Sequence, residues 1–298
     1  MSVRSERGAT ACGLLAIVLW STAAALIRSV SEMFGPLAGS ALIYSLGAVM
    51  LVALLGRPRL RATSWRYLIG GSALFVAYEV CLSLALGFAN SRHQAIELGV
   101  VNYLWPCLTV LLAIVMNGQK ARWMIVPGTA LALFGIVWVV SGEGLSVDSI
   151  VANVQSNPLS YSLALACAIT FALYCNITRR YAGGQNLVVL FFVLTAIVLW
   201  GKYAVSGEIM PAFSLRNSLE LIAASTAMAG GYALWNMGIL RGNLTLLATA
   251  SYSAPVLSSA FGAVWLGAAL NAQFWQGAVL VTVGSLLCWG ATRQQVNT

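Results

Sequence analysis

The chain has 298 residues, of which 60% are hydrophobic and 8% are charged, and its mean hydropathy is +0.85. A soluble globular protein carries roughly 25% charged residues, so this composition excludes a soluble enzyme. The formal net charge of +8 does not indicate a nucleic-acid-binding protein, because the Lys and Arg residues lie almost entirely between long apolar runs. This pattern is typical of a polytopic membrane protein.

Ten apolar runs are long enough to cross a bilayer, whose hydrocarbon core of about 30 Å needs roughly 20 residues per helix. They predict an all-α membrane protein with ten transmembrane helices, at approximately 9–28, 36–55, 67–88, 95–116, 123–141, 159–178, 187–206, 218–239, 245–267 and 274–292. The longest connection, 142–158, contains Glu143 and Asp148 and no basic residue. It is therefore predicted to lie outside the cytoplasm.

The basic residues predict the orientation of these helices. If the N-terminus is cytoplasmic, only four of the 16 Lys and Arg residues face outward, namely Arg28, Arg92, Lys202 and Arg216. The cytoplasmic side then holds Arg4, Arg7, Arg57, Arg59, Arg61, Arg66, Lys120, Arg122, Arg179, Arg180, Arg241 and Arg293. This distribution follows the positive-inside rule and predicts that both termini are cytoplasmic.

The two halves of the chain repeat each other. Matched residues are separated by a constant 149 positions and include Tyr103 and Tyr252, Pro106 and Pro255, Gly128 and Gly277, and Gly135 and Gly284. The repeat unit is five helices, so the second copy must enter the membrane from the opposite side, as in many secondary transporters. The predicted units are 1–141 and 159–298, joined by the connection 142–158.

Pro106 and Pro255 are predicted to lie in the middle of helices and to be equivalent in the two units. A proline removes one backbone hydrogen bond and kinks a helix. Each is therefore either a hinge beside a cavity or a static kink that serves packing.

Aromatic and polar residues at mid-depth predict a binding cavity. Several share a helix face, because residues at i, i+3 and i+4 are neighbours on a helix. Aromatic rings beside polar groups suit a ligand with a flat apolar part and a polar end, although any single ring could serve packing alone. With the two repeat-related tyrosines, the predicted substrate-binding residues are Trp20, Tyr78, Glu79, Asn102, Tyr103, Phe171, Tyr174, Tyr232, Trp235, Asn236 and Tyr252.

Three ionisable residues in or next to the apolar runs carry separate hypotheses. Glu79 lies near the centre of a predicted helix, where a charge costs a few kcal/mol. It is either a contact for a substrate ammonium group, a proton-carrying site or a protonated packing carboxyl. Glu97 lies near the outer interface and is predicted to pair with His93 four residues earlier, in a structural or gating role.

The sequence argues against membrane enzymes and against bound cofactors. It has one histidine, whereas an H-E-x-x-H metalloprotease needs two. Asp148 is the only aspartate, so an aspartate pair is absent, and no G-x-S-x-G motif occurs. The six cysteines lie in apolar runs without metal-ligand spacing and are interpreted as packing residues. We expect no metal, no cofactor, no nucleic acid and no protein partner, with membrane lipid as the surroundings.

Local strings in both halves resemble the drug/metabolite transporter superfamily in its EamA-type branch. They include LAIVLWST at 15–22, YEVCLSLALG at 78–87, HQAIELGVVNYLWPCLT at 93–109, WNMGILRGNLT at 235–245 and APVLSSA at 254–260. The resemblance runs from the first to the last predicted helix and is closest to the bacterial aromatic amino acid exporters of that branch. It weakens in 142–158 and in the seventh predicted helix.

This resemblance implies export of Phe, Tyr and Trp, and of related flat aromatic or cationic compounds, across the bacterial inner membrane. It also implies a ten-helix basket whose cavity opens alternately to each side. The alternatives are an exporter of a different small metabolite or drug, a channel and a membrane-embedded enzyme. A channel would need a continuous file of polar groups, whereas this sequence has isolated ones.

Overall fold

A computed structural model describes residues 6–58, 60, 63–118, 120–142, 146–209 and 212–292, with the backbone alone at 239–241, 244, 245, 248, 249 and 292. Glu143 and four of the predicted cytoplasmic arginines, Arg4, Arg59, Arg61 and Arg293, lie outside the described residues, as does the side chain of Arg241.

The elements in this part of the chain are helices. In order they are α1 (Glu6–Phe34), α2 (Pro36–Leu55), α3 (Ser72–Gly87), α4 (Arg92–Asn102), α5 (Trp105–Asn117), α6 (Ile125–Val140), α7 (Val147–Ser156), α8 (Pro158–Tyr181), α9 (Val188–Ser206), α10 (Leu215–Arg241), α11 (Leu244–Ser251), α12 (Ala254–Leu266) and α13 (Ala272–Thr292). A π-helical turn, Tyr67–Gly71, leads directly into α3.

Seven helical segments among the described residues are long and apolar enough to cross a membrane. They are Glu6–Phe34, Pro36–Leu55, Tyr67–Gly87, Arg92–Asn117, Pro158–Tyr181, Val188–Ser206 and Ala272–Ala291. Ile125–Val140 and Ala254–Leu266 are apolar but shorter. The chain is thus an all-helical, multi-pass membrane protein, and the prediction of that class is confirmed.

Two of the predicted helices are broken in the middle. The run predicted at 95–116 forms α4 and α5 with a break at Tyr103 and Leu104, and the run predicted at 245–267 forms α11 and α12 with a break at Tyr252 and Ser253. Helices α5 and α12 end alike, at Gly118 and Gly267, which both adopt the left-handed conformation with φ of 64°. Only glycine adopts this conformation without strain.

Helices α6 and α13 cross where glycines let their backbones touch. A Cβ atom on Gly135 would lie 2.8 Å from the carbonyl oxygen of Gly277, and one on Gly128 would lie 3.0 Å from that of Gly284. Residue numbers rise along α6 while they fall along α13, so the two helices are antiparallel. Small residues at such crossings are the usual means of tight helix packing in membranes.

The connection between the halves is ordered by α7, a ten-residue helix that the sequence analysis did not predict. Asn153 Nδ2 donates to Glu97 Oε1 at 3.0 Å and to the Val140 carbonyl oxygen at 2.9 Å. Asn157 Nδ2 donates to the Phe88 carbonyl oxygen at 2.8 Å. These bonds hold α7 against the ends of α3, α4 and α6.

Candidate functional site

A cavity of about 260 Å³ lies in the interior, among α1, α3, α4, α5, α8, α10, α11 and α12. Its wall is mostly aromatic and aliphatic, with a few uncharged polar groups. The lining residues are Ile17, Trp20, Ala23, Ala24, Tyr78, Leu82, Gly99, Asn102, Tyr103, Trp105, Phe171, Cys175, Met228, Tyr232, Trp235, Ser251 and Ala254. A small apolar site with a few polar groups is the general form of a small-molecule binding site.

The broken helices bring four of their ends to this cavity. Asn102 and Trp105 flank the first break, and Ser251 and Ala254 flank the second. A helix break frees backbone groups from their intrahelical bonds, which is tolerated at membrane depth only where the backbone is buried in protein or lines a cavity. Discontinuous helices therefore mark binding sites in many transporters.

Two aromatic groups form parts of the wall. In the first, the ring centroid of Trp20 lies 5.1 Å from Tyr232 and 5.4 Å from Trp235. In the second, Phe171 lies 4.3 Å from Tyr78 and 4.9 Å, edge to face, from Trp105. Rings at these separations attract each other beyond their buried area, so the wall is held in place by its own contacts.

Among the side chains that the structure describes, the lining residues include no Asp, Glu, Lys, Arg or His. Their polar groups are hydroxyls, indole N–H groups, the thiol of Cys175 and the amide of Asn102, whose Oδ1 accepts from Cys167 Sγ at 3.0 Å. A net charge entering this apolar space would lose its hydration without a compensating partner. The cavity therefore suits a molecule that has an aromatic part and no net charge.

Seven of the predicted substrate-binding residues come together in this wall. They are Trp20, Tyr78, Asn102, Tyr103, Phe171, Tyr232 and Trp235. The structure places them around one cavity, and their contact with a substrate remains a prediction.

The other four predicted residues, Glu79, Tyr174, Asn236 and Tyr252, do not line the cavity. Glu79 is fully buried behind its wall. Tyr174 stacks on the outer side of Phe171, with centroids 5.7 Å apart. Asn236 follows Trp235 on α10 but is not among the residues that line the cavity, and the ring of Tyr252 lies 6.1 Å from Trp289 on α13.

Two of the gating hypotheses change with the structure. Pro106 and Pro255 are in the first turn of α5 and α12, not in the middle of a helix. The first turn tolerates proline, since its backbone N–H would have no helical partner. Each proline lies at the start of the second half of a broken helix, and the hypothesis that it is a hinge or a static kink stays a prediction.

The predicted pair of His93 and Glu97 is not formed. Glu97 Oε1 accepts from Tyr161 Oη at 2.7 Å and from Asn153 Nδ2 at 3.0 Å, which ties α4 to α8 and α7. The exposed ring of His93 instead lies 6.0 Å from Phe274. Both partners of Glu97 are more than 50 positions away in the sequence, so helical spacing could not have identified them.

Sequence reasoning missed several lining residues, of which Trp105 is the largest. It lies three residues after Asn102, on the same helix face, and its position beside Pro106 marks it as the start of a new helix. Met228 lies four residues before Tyr232 on α10, and Cys175 four residues after Phe171 on α8, so the same i, i+4 rule would have found both.

Apolar crossing helices around an aromatic, uncharged cavity define a membrane transporter for small molecules. Comparisons with known proteins agree with this class. The EamA-like transporter family matches residues 8–141. The chain is 52% identical over 98% of its length to the aromatic amino acid exporter YddG of Salmonella typhimurium, covering 100% of that protein, and 52% identical over 97% to the protein of that name from Escherichia coli, covering 99% of it.

A crystal structure with 25% sequence identity superposes on 99% of this chain and 100% of its own, with a TM-score of 0.68. The family model matches the first half of the chain, whereas the relatives match nearly all of it. The chain belongs to the EamA-like transporter family.

Proposed function

We propose that this protein exports aromatic amino acids (Phe, Tyr and Trp) and related flat aromatic compounds across the bacterial inner membrane. The observation that carries the proposal is the central cavity, in which the aromatic rings of Trp20, Trp105, Phe171 and Trp235 surround uncharged polar groups. Relatives that share half of its residues are named for the export of aromatic amino acids.

The uncharged wall favours binding of amino acids with apolar side chains over binding of those with ionised side chains. The α-ammonium and α-carboxylate groups of a zwitterion balance each other, and Asn102, Tyr78 and Tyr103 offer hydrogen-bonding groups to them. Asp or Lys would bring an additional net charge, which this wall does not pair. Selection by ring size and net charge follows.

Ten membrane-crossing helices, arranged as two inverted five-helix units (1–141 and 159–298), form the second part of the proposal. Helices α5 and α12 correspond residue for residue at the spacing of 149, from their first residues to their terminal glycines. The α6–α13 crossing supports a two-fold relation as well, because Gly135 meets Gly277 and Gly128 meets Gly284. The repeat spacing of 149 relates Gly128 to Gly277 and Gly135 to Gly284. Exchanging the two units therefore turns one contact pair into the other, which is what a two-fold axis produces.

The mechanism that this symmetry supports is alternating access. On the proposed outer side, Arg92 joins α4 to two other helices. Its Nη2 donates to Glu32 Oε2 on α1 at 2.7 Å, and its Nη1 donates to the Leu266 carbonyl oxygen on α12 at 2.9 Å. On the proposed inner side, α11 packs on α1 and α10 while α5 packs on α8 and α13. The outer halves α4 and α12 are thus joined to each other, whereas the inner halves α5 and α11 pack on different helices. This difference supports an inward-facing state with the outer gate closed.

The direct test is counterflow of labelled Phe into proteoliposomes that contain the purified protein. We expect exchange that Trp and Tyr inhibit and that Asp and Lys do not. Protein-free liposomes control for leakage. Exchange insensitive to Trp and Tyr, or no exchange by correctly folded protein, would contradict this substrate class and favour an exporter of a different small metabolite.

A further inference from the structure

Glu79 is the centre of a buried hydrogen-bonded cluster that joins three helices. Its Oε2 accepts from Tyr44 Oη on α2 at 2.6 Å, and its Oε1 accepts from Tyr232 Oη on α10 at 2.8 Å. Glu79 and Tyr44 are both fully buried. Ser83, one turn further along α3, donates to Tyr44 Oη at 3.4 Å. Both carboxyl oxygens thus accept hydrogen bonds from tyrosine hydroxyls, and Glu79 does not line the cavity.

Of the residues bonded to Glu79, Tyr232 is the one that lines the cavity. Its ring is enclosed on the far side by Phe75 and Phe192, with centroids 5.3 Å and 5.6 Å away. On the near side it meets Trp20 edge to face at 5.1 Å. The hydrogen bond at the hydroxyl and the ring contacts together hold the Tyr232 side chain in one conformation.

The position of Tyr232 in turn determines the surface that a ligand would meet. Trp20 packs between Tyr232 and Trp235, and the indoles of both tryptophans line the cavity. If the hydroxyl of Tyr232 lost its acceptor, the phenol could rotate into the cavity or away from it. The support for Trp20 would then be lost, although no lining residue had been changed.

We propose that Glu79 is a positioning residue, which sets the affinity for aromatic cargo through Tyr232 and Trp20 without touching the cargo, and that Tyr44 holds its carboxyl from the opposite side. This role rests on the proposed function. It differs from a direct contact with the cargo ammonium group, because the path from Glu79 to the cavity passes through the hydroxyl of Tyr232.

A double-mutant cycle tests this path. The half-saturation concentration for Trp is measured by counterflow for wild type, Glu79→Met, Tyr232→Phe and the double variant. Methionine is used because it has no oxygen to accept from the Tyr232 hydroxyl, whereas a glutamine amide would still accept. Loss of a hydrogen bond to a carboxyl group corresponds to roughly a 5- to 50-fold change. We expect each single variant to raise the half-saturation concentration by an amount in this range, and the double variant to be no worse than Tyr232→Phe. Fold-changes that multiply would overturn the proposal, because they would show that Glu79 acts without the Tyr232 hydroxyl.

A second variant keeps the test decisive if Glu79→Met folds poorly. Tyr44→Phe removes a hydrogen bond to Glu79 from the side away from the cavity, and we expect it to raise the half-saturation concentration in the same direction by a smaller factor. Glu208→Gln is the matched control, since Glu208 accepts from the backbone N–H groups of Leu37 and Ala38 and does not line the cavity.

The outcomes separate this proposal from the proposed function. If wild type exchanges Trp and the Tyr44 and Glu79 variants lower only thermal stability, the positioning role is wrong and the function stands. A pH-gradient response present in wild type and lost in Glu79→Gln would also overturn it, because Glu79 would then exchange a proton with the transport path. Wild type that exchanges no aromatic amino acid would overturn both.

Discussion

Trp235 tests the cavity with a single side chain. It lines the cavity and packs at 5.4 Å on Trp20, so Trp235→Ala removes a ring contact and enlarges the site. Loss of such a contact, worth about 0.5–1.5 kcal/mol, should raise the half-saturation concentration for Trp by about 3- to 10-fold, with a smaller effect for Phe. Counterflow with both substrates checks this. Trp265→Ala is the control, because Trp265 lies away from the cavity and is 44% exposed.

The half-saturation concentrations of Trp235→Ala also test whether the aromatic set is a binding site. Equal values for the two indole variants would mean that Trp235 serves packing alone.

Helical spacing predicted Tyr232 and Trp235 on one face, and both line the cavity. It could not predict that Glu79 bonds Tyr44, because those residues lie on different helices and only the packing of α2 against α3 brings them together.

At the scale of helices, the α6–α13 crossing depends on the absence of side chains. Gly135→Ala places a Cβ atom 2.8 Å from the Gly277 carbonyl oxygen and from the Val281 backbone nitrogen. Backbone atoms cannot move aside as a flexible side chain can, so overpacking should cost about 1–3 kcal/mol. We expect a lower midpoint of thermal unfolding in detergent, measured by the loss of the monodisperse fraction.

Gly201→Ala is the matched control for this crossing. Gly201 lies within α9, and no atom lies within 4 Å of a Cβ placed on it. Alanine there should leave the midpoint unchanged or raise it, by up to about 1 kcal/mol of stability. An equal loss in both variants would show that the α6–α13 contact is not the reason for the lower stability of Gly135→Ala.

Arg92 provides a second prediction at the scale of helices. It joins α4 to α1 and α12, and Ala95, one turn along α4, is buried in the seam between these helices. Arg92→Gln should favour the outward-open state. The ion pair between Arg92 and Glu32 is partly exposed and contributes less than about 1 kcal/mol. A cysteine introduced as Ala95→Cys is reached by a membrane-impermeant thiol reagent when the outer side opens, so its labelling should become roughly 2- to 5-fold faster in Arg92→Gln.

Arg216→Gln is the control for the gate, because Arg216 pairs with Glu220 within α10 and does not join separate helices. Labelling that is unaffected by Arg92→Gln, or that increases equally with Arg216→Gln, would exclude Arg92 as a gate.

The sequence predicted Arg92 on the outer side but not its bond to the Leu266 carbonyl oxygen. That acceptor is available because α12 ends there, and no side-chain pattern indicates it.

At the scale of the whole molecule, hydropathy predicted most helices closely because a membrane restricts their length and composition. The run 36–55 coincides with α2. The breaks after Asn102 and Ser251 were not predicted, because hydropathy averaged over a whole membrane span does not detect two residues that leave the helix. Breaks arise from tertiary structure, where neighbouring helices satisfy the freed backbone groups, and a hydropathy pattern contains no information on those partners.

The orientation of the bundle is the last prediction, and it depends on the positive-inside rule. Asp148 is exposed on α7 and Lys120 is exposed between α5 and α6. If both termini are cytoplasmic, a cysteine introduced as Asp148→Cys is labelled by an impermeant maleimide added to intact cells, whereas Lys120→Cys is labelled only after the membrane is permeabilised. The parent protein, with its six native free thiols, sets the background. Labelling of Lys120→Cys in intact cells would reverse the orientation, and with it the direction in which the Arg92 gate faces.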